Sequence, residues 1–316
     1  MSPQLQEIAR EFMRRRDREP LALATLVRTT GSSYLRTGAR MLITQAGETF
    51  GLLSGGCIEE EVAQKSQEVM RTGTPCLLTF DTRPHFGCSG ALDIFVERVA
   101  ADNALLHALD RCLRERVTFV AITGFERADL ELGSSTIAHH QELLGDEPAT
   151  ALVERVEPPL QLLIAAGGRD DAPLAVMARS LGWRVLIVGE PHEVVADTHT
   201  VAVVKTHNYG RDFAFLRALL PLDLPYIGLV GSRKRKEQLV GALLDLGADL
   251  DQTKVIHGPA GLDIGSETPE EIALSVVAEI QAVLANRPHT SLRDRRAQAR
   301  YTASVTPATI QNIGAK

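Results

Sequence analysis

The residues best suited to chemistry gather in one short stretch, Gly51-Leu52-Leu53-Ser54-Gly55-Gly56-Cys57-Ile58-Glu59-Glu60-Glu61. Two adjacent glycines let the backbone turn where a Cβ would clash, and let a ligand approach it closely. Cys57 then stands at or just before the start of a helix whose spacing buries Ile58, Val62, Val69 and Met70. Free N–H groups and the helix dipole favour a thiolate there. Glu59, Glu60 and Glu61 act against it, because nearby carboxylates disfavour a second negative charge. The residues therefore admit two readings, a reactive thiol or a small buried cysteine in a tight strand–helix turn.

Other stretches carry polar groups beside glycine. In Arg28 to Ala39, Ser32, Ser33 and Arg36 suit an anion, or else belong to a solvated loop. A second glycine–cysteine loop, Asp81 to Gly90, contains Cys88; Asp81, His85 and Cys88 match no standard zinc spacing. The second half offers Ala166-Gly167-Gly168, Thr206-His207-Asn208, Gly231-Ser232-Arg233-Lys234-Arg235-Lys236 and the glycines of Gly258 to Gly265. His207 suits a general base, a ligand or a local hydrogen bond. The Arg233 to Lys236 run suits an anionic group or a solvated helix face.

The elements that must position these groups divide the chain. An amphipathic helix around Leu5 to Met13 precedes a strand, Leu21 to Val27, and a hairpin, Met41 to Thr44 with Thr49 to Leu53. After the helix behind Cys57 come strands at Cys76 to Phe80 and Leu92 to Val99, a helix at Asp102 to Leu113 and a strand at Thr118 to Thr123. Residues 125–157 read as loop and linker around a short strand, Thr136 to Ala138. Beyond Pro158 strands and helices alternate. Strands are expected at Leu162 to Ala165, Arg184 to Val188, Val201 to Lys205, Tyr226 to Val230 and Lys254 to Ile256. Helices are expected at Pro173 to Leu181, Asp212 to Leu219, Lys234 to Leu246 and Pro269 to Leu284. Thr268, Pro269 and Glu271 make a capping box for the last. The fold class is α/β: an N-terminal α+β domain over residues 1–157, then a Rossmann-like doubly wound parallel-sheet domain over 158–286, then a polar, basic tail over 287–316. In such a sheet ligands bind beyond the carboxyl ends of the strands, where the second-half loops fall.

With 316 residues the chain is long enough for two cores. Its net charge of −6 argues against general nucleic-acid binding. Four cysteines without a CxxC pair argue against a disulfide framework. The start lacks a signal-peptide core and no run is long and apolar enough to span a bilayer, so no stable membrane insertion and a cytoplasmic location are expected. The dinucleotide fingerprint is poor: Asp171 replaces its last glycine or alanine, and Gly189 stands where the ribose-binding carboxylate belongs, with Glu190 as a substitute one residue late. NAD(P) is a weak expectation on these residues.

Taken together, Gly31-Ser32, Arg36-Thr37-Gly38-Ala39, Met41, Ser54 to Glu59, Phe86-Gly87-Cys88-Ser89-Gly90, Thr206-His207, Tyr226 to Arg233 and Gly261 to Ile272 resemble the XdhC/CoxI family. These are accessory factors of xanthine dehydrogenase and related molybdenum hydroxylases. The resemblance implies a protein that binds the molybdenum cofactor (molybdopterin or its dinucleotide form), supports its sulfuration by a cysteine desulfurase and delivers it to an apo molybdenum hydroxylase. It implies a homodimeric chaperone rather than an enzyme. Cys57 becomes the first choice of molybdenum or sulfur contact and Cys88 the second. Ser32, Arg36, Gly55 and Gly56 approach the pterin or its phosphate, and Glu59 orients the loop. Gly167, Gly168, His207, Ser232 and Arg233 complete the expected cofactor-binding set. Ala166 and Gly189 depart from the family's usual glycine and aspartate. The competing reading is an NAD(P)-dependent oxidoreductase using the second domain.

Overall fold

A computed structural model describes residues 1–31, 33–56, 58–81, 90–126, 132–137, 150–165 and 168–294. The N-terminal half runs α1 (Pro3–Arg15), β1 (Leu21–Gly31), β2 (Arg40–Thr44), β3 (Thr49–Gly51), α2 (Glu59–Thr72), β4 (Cys76–Asp81), β5 (Gly90–Val99) and α3 (Ala104–Glu115). The strands form an antiparallel sheet in the order β3-β2-β1-β5-β4. Successive side chains of β1 point to opposite faces. Leu21 and Leu23 join Ile8, Phe12, Leu105 and Leu109 from α1 and α3, while Ala22, Ala24 and Leu26 join Val62, Val69 and Met70 from α2. Both faces are covered, so the strand is a continuous apolar run.

Two expectations need correction. The stretch Arg28 to Gly31, read as the start of a polar loop, continues β1 because β5 pairs with it as far as Gly31 opposite Gly90. The region read as loop and linker before Pro158 contains strands. β6 (Phe119–Gly124) lies between β7 (Gly133–Ile137) and β8 (Ala151–Val156) in a three-stranded antiparallel sheet. Gly-Ser-Ser-Thr in β7 carries little apolar signal; what makes it a strand is its pairing with β6.

The C-terminal half runs β9 (Gln161–Ala165), α4 (Ala172–Ser180), β10 (Arg184–Val188), β11 (Thr200–Val204), α5 (Tyr209–Leu219), β12 (Ile227–Leu229), α6 (Arg233–Asp245), α7 (Leu250–Thr253), β13 (Ile256–His257) and α8 (Pro269–Leu284). All its pairings are parallel, in the order β10-β9-β11-β12-β13. In local numbering this is 2-1-3-4-5, a doubly wound order whose switch point lies between β9 and β11. Leu162 and Ile164 pack with α4 and α8, and Leu163 and Ala165 face α5 and α6. β12 is shorter than expected, and Tyr226, read as its first residue, turns a fully buried hydroxyl to Glu279 of α8 at 2.6 Å. β13 starts later than expected, at Ile256, and a short 3₁₀ turn, Leu292–Asp294, lies within the segment read as tail.

The two halves meet through directed polar contacts. Arg116, the left-handed C-cap of α3, forks onto Asp197, with Nη2 donating to Oδ1 at 3.0 Å. It also donates to the Pro159 carbonyl at 2.9 Å. Gln6 of α1 donates to the Gly182 carbonyl at 2.7 Å, and a Cβ on Gly182 would stand 2.9 Å from Pro3. Pro159, Gly182 and Asp197 all precede strands of the parallel sheet. These contacts therefore hold its N-terminal edge, and the opposite edge lies about 17 Å away across five-residue strands.

Candidate functional site

Two described loops, with the ends of β4 and β5 at Asp81 and Gly90, lie at one end of the antiparallel sheet. The loop after β1 leads into β2, the loop after β3 leads into α2, and residues 82–89 join β4 to β5. The first two leave neighbouring strands: Met41 pairs with Gly51, and the Leu52 N–H donates to the Arg40 carbonyl at 3.2 Å. Cys57, Ser32 and Cys88 lie outside the described residues, so the geometry is that of the groups around them.

Glu59 turns back over the loop it follows. Its carboxylate accepts from the N–H groups of Leu53 at 3.2 Å, Ser54 at 2.7 Å and Ile58 at 3.1 Å, and from the Ser54 hydroxyl at 3.1 Å. Burial works to raise its pKa, but the bonds from Ser54 and Ile58 prevail and hold the carboxyl below its ordinary value. The clasp closes residues 53–59 into a ring with Gly55 and Gly56 on its exposed side. Among the described residues, no atom lies within 4 Å of where a Cβ would stand on either glycine. Gly56, at φ +103, needs glycine for its backbone; Gly55 does not. The ring's first helical turn is therefore filled by the protein's own carboxylate, and the open feature is glycine backbone.

The loop before β2 is anchored at its base. A Cβ on Gly38 would collide with the Glu154 carboxylate, and Gly38 has φ +88. Fully buried Arg40 pairs with Glu154 and donates to the Gly38 carbonyl at 3.0 Å. Gly38 and Ala39 exchange backbone bonds with Leu26, 2.8 and 2.9 Å long. Above this base Ser33, Tyr34, Arg36 and Thr37 are exposed, and the Arg36 side chain has no hydrogen bond or ion pair among the described residues. This loop and the chain leading to Gly55-Gly56 leave the same end of neighbouring strands.

The second group of expected residues lies elsewhere, at the C-terminal edge of the parallel sheet. Ala165 pairs with Val204, and Val204 with Leu229, so the turns at Gly168, His207 and Ser232-Arg233 follow aligned strand ends. Gly167 is outside the described residues. Lys205, buried to 7% exposure, donates to the Asp170 carbonyl at 2.7 Å and pairs with the Asp170 carboxylate at 2.8 Å and Asp171 at 3.4 Å. His207, in a left-handed conformation, sets Nε2 3.1 Å from the same Asp170 oxygen. The hydrogen bond from Lys205 holds the Asp170 pKa down to about 2. Asp171 takes the Gly168 N–H at 3.2 Å. At the end of β10, Glu193 takes the N–H groups of Gly189 at 2.9 Å and Glu190 at 3.0 Å. The Gly168 N–H of the first turn is thus taken by a resident carboxylate, while Glu190 and Glu193 stand at the end of β10, where a dinucleotide site places its ribose carboxylate.

Of the basic run, Arg235 turns inward onto fully buried Asp212, donating from Nε at 2.9 Å and Nη2 at 2.6 Å. Asp212 also accepts from the Thr206 hydroxyl at 2.6 Å, which ties the His207 turn to α6. Ser232 caps α6 through the Arg235 N–H, and Arg233 and Lys234 stay exposed. The expected set thus divides into a first-domain group (Arg36, Gly55, Gly56, Glu59) and a second-domain group (Gly168, His207, Ser232, Arg233). Sequence reasoning missed Lys205, Asp170, Asp212 and the Arg40–Glu154 pair, whose partners lie far apart in the chain. The charged residue closing apolar β11 was the one available signal for Lys205.

Comparison with known proteins agrees with both halves. Residues 14–81 match the model of the XdhC and CoxI family, and residues 162–280 match that of the XdhC Rossmann domain. A Bacillus subtilis protein, named as a probable subunit of xanthine dehydrogenase, is 29% identical, covering 84% of this chain and 93% of its own length. The molybdenum cofactor insertion chaperone PaoD of Escherichia coli is 24% identical over 83% of this chain and 82% of its own. A solved structure described as a xanthine dehydrogenase from Bacillus halodurans shares the fold, with a TM-score of 0.76 at 24% identity, covering 92% of this chain and 98% of that one. Carrying both matched domains in order, the chain belongs to the XdhC and CoxI family.

Proposed function

We propose that this protein is an accessory factor in the maturation of a molybdenum hydroxylase: it binds the molybdenum cofactor, supports its sulfuration by a cysteine desulfurase and delivers it to the apo enzyme. The observation that carries the reading is the clasped loop around Gly55 and Gly56, open to a ligand and set on the strand beside the loop of Arg36. The names of the Bacillus subtilis and Escherichia coli relatives support the same role.

In this reading the bound cofactor supplies the metal and its sulfur chemistry, and the chain's residues hold it. Cys57 offers a soft thiolate to molybdenum or carries sulfur as a persulfide, with Cys88 as the second thiol. Gly55 and Gly56 admit the pterin, Ser32 and Arg36 meet its phosphate, and Glu59 keeps the loop in shape. Exposed Arg233 and Lys234, with the turns at Gly167-Gly168, His207 and Ser232, serve the second domain's share of cofactor or client contact. The protein works in the cytoplasm as a homodimer. The test is co-purification with a molybdenum hydroxylase followed by metal analysis. Molybdenum and pterin in the purified fraction, transferable to apo hydroxylase, are expected; metal-free protein that never raises hydroxylase activity would overturn the reading.

A further inference from the structure

Tyr34 is 76% exposed, more than any other large hydrophobic side chain among the described residues. A ring so placed loses hydrophobic stabilisation, and nothing in the described fold requires it there. Two residues on, Arg36 is also exposed and has no side-chain partner among the described residues. The loop carrying them does not drift freely from its strands. Gly38 is wedged against Glu154, and backbone bonds of 2.8 and 2.9 Å fix Gly38 and Ala39 to Leu26. The base is held while the ring and the guanidinium project into solvent.

What lies beside them is equally specific. The next strand, β3, ends at Gly51 opposite Met41, one residue into β2. The chain leaving β3 toward Gly55-Gly56 therefore starts one strand spacing, about 4.8 Å, from β2, into which the Tyr34 loop leads. Its two glycines leave open the space that side chains would fill. The nearest strong anion nest, the start of α2, is filled by Glu59. An anionic group arriving here finds that helix start already taken, and exposed Arg36 is the cation of the neighbouring loop.

We infer that Tyr34 and Arg36 form a recognition platform for a phosphorylated pterin, with the Tyr34 ring stacking on the heterocycle and Arg36 holding the phosphate. The inference rests on the proposed cofactor role and names the two residues that would give it specificity. Stacking on an aromatic side chain is sequence-tolerant among heterocycles and strong enough to be measured by substitution. A guanidinium suits phosphate through paired N–H donors.

The test uses the full chain and a metal-free probe, 6-hydroxymethylpterin phosphate, followed by pterin fluorescence. 6-Hydroxymethylpterin and AMP are the comparison ligands. The wild-type protein is expected to bind the phosphorylated pterin and to quench its emission. Tyr34→Ala should weaken binding about tenfold to a hundredfold, and Tyr34→Phe should restore it. Arg36→Gln should weaken the phosphate ester about tenfold while leaving the unphosphorylated pterin unchanged. Both positions are exposed, so thermal melting should match wild type for every variant. Equal binding of the probe by wild type and Tyr34→Ala overturns the inference, as does no binding by wild type or equal affinity for AMP. Molybdenum and pterin content of the co-purified protein is read separately: a loaded protein with an indifferent Tyr34 rejects the platform and leaves the cofactor role standing, whereas a protein that never carries cofactor rejects both.

Discussion

Glu59 folds back over the loop it follows, and this bears directly on Cys57. Among the described residues the clasp is built from backbone N–H groups and the Ser54 hydroxyl. Replacing Cys57 should therefore separate chemistry from folding. Cys57→Ala trades a small side chain for a smaller one and should cost on the order of 1 kcal/mol. Cys57→Ser keeps the size and offers a hydroxyl that stays protonated and binds soft metals poorly. Both variants should melt close to wild type and fail to activate a client hydroxylase in a reconstituted maturation assay. Full activation by a stably folded Cys57→Ser protein would remove the thiolate from the proposal.

At the scale of elements, the doubly wound sheet invites comparison with dinucleotide sites, and the described part of its first turn carries a carboxylate that such sites lack. Asp171 occupies the Gly168 N–H and Glu193 those of Gly189 and Glu190. A pyrophosphate would have to displace a carboxylate held by its own backbone and face the Asp170 charge beside it. Calorimetry with NADH should show no binding, and a micromolar affinity, or a dinucleotide found in purified protein, would contradict this. The sequence motive for this expectation is the fingerprint broken at Asp171 and Gly189; the doubly wound alternation itself was legible in the sequence. So was α8, whose start at Pro269 follows from Thr268 and Glu271 and whose end at Leu284 matches the periodicity. The rest was not legible for a common reason. β7 is polar and exists through its pairing with β6; Lys205 meets Asp170 35 residues away; Arg40 meets Glu154 114 residues away. Periodicity reports which face an element buries, and long-range polar pairs leave no period.

Across the whole molecule, Arg116 joins the domains as a fork on Asp197, and its hydrogen bond holds the Asp197 pKa down to about 2. A carboxyl depressed in the folded state contributes stability above its unfolded value, near 3.8, and loses it as pH falls through about 2. Coupling between the domains should hold from neutral pH to about pH 4 and fade below. Arg116→Ala should cost about 1–3 kcal/mol and split a single denaturation transition into two at neutral pH. A single unshifted transition in that variant would show that the interface does not depend on the fork. The same use of charge recurs in both halves. Glu59, Asp171, Glu193 and Glu271 each close a turn or helix start with the protein's own carboxylate. Such termini are the usual landing places for phosphate. A small anion that reaches any of these four places meets a tethered carboxylate that must first be displaced, so free phosphate in the surroundings should compete poorly there with a guest that does not need those N–H groups.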